Sequence, residues 1–97
     1  MATEEKVGTV TNYYTQLNVA VIRLTDADLR VGDLVRICGR TTDFTQPVAS
    51  LQIEHRAVAR AERGGEAALK VRERVRRKDQ VFRVHQADWP SGVAHEP

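Results

Sequence analysis

Lys70, Arg72, Arg74 and Arg76 recur at every second position of a segment that otherwise carries Ala67, Leu69, Val71 and Val75. On an extended strand this spacing sets the four cations on one face, about 6.6–6.8 Å apart, close to the phosphate repeat of a single nucleic-acid strand. Arg77, Lys78 and Arg83 prolong the row into the next turn and strand. Three readings suit the pattern: a solvated face whose arginines pair with Glu62, Glu66 or Glu73, an RNA-binding stripe, or a surface that docks an acidic protein. An RNA stripe also needs stacking rings, and with Phe82 assigned to the core only Tyr13, Tyr14 or Phe44 could supply them.

Other chemistries find little support. Cys38 ends an apolar stretch without a histidine in a recognisable motif, and reads as an inert thiol. His55, His85 and His95 are too far apart for a local metal motif and lack cysteine partners, so neither a metal nor a cofactor is expected. No glycine leads into a Lys-Ser or Lys-Thr pair and no Gly-x-Gly occurs, which excludes GTP hydrolysis on a phosphate-cradling loop. The expectation is a binding module and not an enzyme.

The elements that must position these residues read as all-β. Residues 6–12 form a first strand in which Gly8 marks a bulge or a close backbone approach. From Val19 to Leu24, Ala20, Ile22 and Leu24 share the inner face and Arg23 the wet one. Gly32-Asp33 turns the chain beneath an anchoring Leu29, and Leu34–Cys38 follows with Val35 and Ile37 inward. Residues 39–46 read as a polar loop, Pro47 opens a strand to about Glu54, and a short strand near Val58 precedes the Gly64-Gly65 turn. Ala67–Val75 carries the basic row, and Gln80–Val84 closes the sheet with Phe82 and Val84 inward. Such short strands between frequent turns predict a small, closed, six- to seven-stranded antiparallel barrel over residues 6–84, with a frayed N-terminus at 1–5 and a flexible tail at 85–97.

A chain of 97 residues holds one domain with a thin core. Its formal net charge of +2 is unevenly spread: residues 55–84 hold ten basic side chains against four acidic ones, and every other stretch is balanced or acidic. One cysteine cannot form an internal disulfide, which fits a reducing compartment, and the cytoplasm is expected. Residues 1–6 are acidic with no apolar run behind them, so no secretory leader is expected. The aliphatic run Val19–Ile22 is too short to span a bilayer.

Several of these stretches together resemble the barrel-shaped second domain of translation GTPases of the elongation factor Tu type: Gly8-x-Val10, LRVGDLVRICG, PVASLQIEH, the Gly64-Gly65-Glu66 turn into AALKV, and VRRKDQVFRV. Nearest in likeness are small stand-alone elongation-factor-like proteins and the terminal barrel of some collagenase-like peptidases, which share a stretch similar to GRTTDFTQPVASLQIEH. That family repeats a Gly-Asp turn before an apolar strand; Gly32-Asp33 matches it, and Lys78-Asp79 departs by losing the glycine. The resemblance implies contact with tRNA, ribosomal RNA or a translation-associated protein, and an uncovered edge near the first or last strand leaves a monomer or a weak homodimer open. It carries Glu66 over as the glutamate after the glycine turn and Arg56 as a nearby basic position, with His55 where an aromatic is expected. A protein–protein adaptor without nucleic-acid contact is the alternative.

Overall fold

The computed structural model describes residues 3–85. Ten strands follow in order: β1 (Thr3–Tyr14), β2 (Val19–Arg23), β3 (Leu29–Arg30), β4 (Leu34–Cys38), β5 (Asp43–Pro47), β6 (Leu51–Ile53), β7 (Arg56–Val58), β8 (Arg60–Ala61), β9 (Glu66–Lys70) and β10 (Gln80–His85). Eight of them form one sheet in the order β5-β4-β10-β1-β2-β9-β6-β7, and β3 pairs with β8 separately. Every pairing is antiparallel. The fold is therefore all-β, as the alternation predicts.

β1 is the spine of the sheet, paired to β10 on one side and β2 on the other. Its register slips between Lys6 and Gly8 against β10, and again between Val10 and Asn12 against β2. Each bulge bends and twists the strand, so one long element can serve both halves of a curled sheet. A Cβ built on Gly8 would lie 2.0 Å from the Arg23 carbonyl oxygen, so only glycine permits that approach. Inside the curl, Val7, Val10, Ala20, Ile22, Leu24, Leu29, Val35, Ile37, Leu51, Leu69 and Val81 are buried in one cluster.

The ladder is not closed: β5 and β7 are its two ends, where a closed barrel was expected. The outer side of β5 instead meets the chain leaving β9 through side chains. The buried Gln46 donates from Nε2 to the Lys70 carbonyl at 2.8 Å and accepts the Arg72 amide on Oε1 at 2.8 Å. A side-chain amide thus stands where a backbone ladder would continue. β5 itself replaces the expected polar loop, because Phe44 and Gln46 alternate inward along it. Pro47 ends this edge strand and does not open β6, a position where its missing donor costs nothing.

The last strand inverts the expected parity. Val81 stands opposite Ile37 and Gly8 and is fully buried, whereas Phe82 stands opposite Arg36 and Lys6 on the outer, half-buried face. The aromatic residue suggested the opposite orientation, but both neighbouring strands fix the register. Thr3, Glu4 and Glu5, expected to fray, pair with His85, Val84 and Arg83. The expected tail, with Trp89 and His95, lies outside the described residues apart from His85, the last residue of β10.

Candidate functional site

The basic row is not a strand face. β9 ends at Lys70 because the next amides leave the ladder: Val71 donates to the Asn18 carbonyl at 2.9 Å and Arg72 to Gln46. Val71 and Val75 remain buried four residues apart, with Arg72, Glu73 and Arg74 exposed between them. The Arg72 guanidinium turns back to the Thr45 carbonyl at 2.7 Å. Arg76, Arg77 and Lys78 lie in the following turn, and Arg56 is exposed on β7. Glu66 opens β9 and receives the Thr11 hydroxyl at 3.5 Å. Expected stacking rings are also missing from one surface, since Phe44 is buried and Tyr13 packs on the core, leaving Tyr14 exposed.

Arg83 is consumed by the fold. Its side chain is 14% exposed and reaches Asp33 at 2.9 Å, Glu5 at 3.2 Å and Asp28 at 3.3 Å, while Arg60 and Arg30 close on Asp28 at 3.3 and 3.7 Å. Burial pushes the Asp28 carboxyl up, but Arg83, Arg60 and Arg30 outweigh it and hold that carboxyl below the usual carboxylate range. On the neighbouring face Arg36 bonds Asp43 at 2.8 Å and Glu4 at 3.1 Å, and its hydrogen bond draws the Asp43 carboxyl down as well. These pairs tie β1, β3, β4, β5, β8 and β10 together.

The Gly-Asp turn recurs in geometry even where the glycine is lost. Asp33 accepts the Arg30 amide on Oδ2 at 2.9 Å and donates its own amide to the Arg30 carbonyl at 3.1 Å, with Gly32 at φ 100°. Asp79 does the same with Arg76, at 2.9 and 3.1 Å, with Lys78 at φ 78° in the glycine's place. Each turn launches a strand, β4 or β10, and those two strands pair.

A groove of about 650 Å³ lies elsewhere, over the outer side of β2, β9 and β6. Val21 and Ala68 line its floor, and Tyr14, Arg23, Glu54, His55, Glu62 and Glu66 stand around it. The β6–β7 hairpin turns through Glu54 and His55 alone, both at positive φ (52° and 68°), so two side-chain-bearing residues occupy positions that favour Asn-Gly. The opposite wall is the Gly64-Gly65 turn, clipped to Leu24 by bonds of 2.6 and 2.8 Å. A second hollow of about 260 Å³, bounded by Leu17, Val19, Ser50 and Lys70, shares Gln52 and Ala68 with the first. Of the residues proposed from sequence, the groove gathers Glu66, and the second hollow takes Lys70. Arg56, Arg72, Arg74, Arg76, Arg77 and Lys78 line neither. Glu54, Glu62 and Arg23 went unnoticed as a group because β6, β8 and β2 bring them together only in the folded sheet.

No protein-family model matches the chain. Over 78 residues, 79% of its length, it is 37% identical to an uncharacterized protease of Methanocaldococcus jannaschii. It is 33% identical over 85 residues to a collagenase of Porphyromonas gingivalis. The chain spans about a fifth of the length of these curated relatives, 19% and 20% respectively. Among solved structures, the C-terminal domain of a candidate U32 peptidase from Geobacillus thermoleovorans superposes with a TM-score of 0.75, covering 81% of this chain and 91% of that one at 21% identity. The fold is that of a U32 peptidase C-terminal domain. The resemblance to translation GTPases and their stand-alone relatives is thereby overturned, and with it the RNA-binding role drawn from the basic row: the relatives are proteases. A shared strand-and-turn pattern of Gly-Asp turns before apolar strands suggested the translation domain, but the pattern specifies a sheet and not a role. Among the described residues no group of three or more His, Cys, Asp or Glu is placed to hold a metal, and no helix is long and apolar enough to cross a membrane.

Proposed function

We propose that this chain is the non-catalytic accessory domain of a U32-type, collagenase-like peptidase, engaging polypeptide for a catalytic part encoded outside the matched region. The observation that carries this reading is the asymmetry of the matches: 79–84% of this chain accounts for about a fifth of each protease. Four-fifths of those relatives is thus available for the chemistry. The open groove over β2, β9 and β6 supports a binding role. Curling of the sheet across Gln46 supports a barrel-like wrap that holds the groove rigid. The lone, half-buried Cys38 supports a reducing compartment such as the cytoplasm.

The purified chain, incubated with denatured collagen, should release no new peptide fragments, while the same chain immobilised should retain that polypeptide. Fragments made by the chain alone would sink the non-catalytic reading.

A further inference from the structure

The charged side chains of this domain are sorted. Around the core of the sheet, Arg30, Arg36, Arg60 and Arg83 are matched with Glu4, Glu5, Asp28, Asp33 and Asp43. Around the groove they are not. Among the described residues Arg23, Glu54 and Glu62 take part in no ion pair or side-chain hydrogen bond, and Glu66 has only the long one from Thr11. Arg23 stands opposite Glu66 in the ladder without pairing to it. Three carboxylates against one guanidinium leave a local excess of negative charge on a chain whose overall charge is +2.

The shape is equally specific. Glu66, Ala67 and Ala68 border the larger hollow and Ala68, Leu69 and Lys70 the smaller, so the two run on along β9. From Glu66 to Lys70 this trough measures about 14 Å, the length of four to five extended residues. Its floor is small and apolar at Ala68 and Val21, and along one rim the β1–β2 turn holds Tyr14 and Leu17 out, 47% and 62% exposed. Acid sits at the Glu66 end and a lysine at the other.

We propose that this trough binds an extended polypeptide segment carrying a lysine or arginine, with the cationic side chain among Glu54, Glu62 and Glu66 and a neighbouring apolar side chain against Tyr14 and Leu17. The inference rests on the polypeptide-engaging role proposed above and adds its site and its chemistry. A small floor admits a backbone closely, the unpaired carboxylates supply complementary charge without first breaking an internal pair, and the exposed Tyr14 ring and Leu17 side chain gain by being covered.

The test is fluorescence anisotropy of the purified chain with three labelled, unstructured peptides that differ only in carrying Arg, Gln or Glu at one position beside a leucine. The Arg peptide should bind tightest, and more weakly as salt is raised. In the triple variant Glu54→Gln, Glu62→Gln, Glu66→Gln its affinity should fall about tenfold, three weak exposed contacts together, with the thermal midpoint nearly unchanged. Arg72→Gln with Arg74→Gln, outside the trough, should leave it as it was. Equal binding of the three peptides, no binding of any, or an unaltered triple variant would overturn the proposed site. None of those results touches the non-catalytic reading, which falls if the chain alone cleaves polypeptide.

Discussion

Asp28 shows how a single residue is spent on the fold. Three arginines from β3, β8 and β10 converge on one carboxylate, and their sum exceeds the desolvation that opposes it. The folded-state pKa lies below the unfolded one, so the unfolded chain binds more protons in acid. The stabilisation is therefore complete above about pH 4 and is lost as pH falls through the folded value. Urea unfolding followed from pH 7 to 2 should show that acid limb. D28N should be less stable than the native chain at pH 7 and converge on it toward pH 2; parallel curves at all pH values would mean that Asp28 contributes nothing through its charge. None of this was legible in the sequence, where Arg83 read as part of a basic row. Its partners lie 50 and 55 positions away at Asp33 and Asp28, and only the register of β10 delivers it to them.

At the scale of elements, the local signals were the readable ones. Alternation along Val19–Leu24 and Leu34–Cys38 fixed both the strands and their buried faces, and Gly8 marked both the bulge and the close approach. Reading failed where the decisive contact was remote. Residues 43–46 looked like part of a polar loop because their inward Gln46 is polar, yet that glutamine is satisfied by the exit of β9. The segment after Lys70 looked like more strand because its cations alternate, yet its amides go to Asn18 and Gln46. The twin Arg-x-x-Asp turns give a direct prediction. Lys78 holds a left-handed conformation that Gly32 adopts freely in the equivalent place. Lys78→Gly should thus stabilise the chain by about 0.5–1 kcal/mol, whereas Gly32→Ala should destabilise it by about 1–2 kcal/mol, both read as shifts in urea midpoint at constant slope. Destabilisation by Lys78→Gly would show that the lysine side chain, and not the turn, is what the position requires.

For the whole molecule, composition and alternation led to a small all-β domain, and the likeness to the terminal barrel of collagenase-like peptidases agrees with the proteases now matched. The translation-factor role did not follow from those patterns, because turns and alternation describe how a sheet is made and leave its outer face unspecified. The candidate site was the least legible part: Glu66 was singled out for another reason, while Glu54, Glu62, Arg23 and Tyr14 meet only across β1, β2, β6, β8 and β9. The most direct measurement replaces the matching fifth of the Porphyromonas gingivalis collagenase with this chain and compares it with a truncated form lacking that region, on denatured collagen and on a short peptide. An accessory domain predicts that truncation raises KM for the long polypeptide, leaves kcat on the short peptide unchanged, and is reversed by the graft. Loss of short-peptide turnover in a truncated protein that still folds would place catalytic residues in this domain and contradict that role.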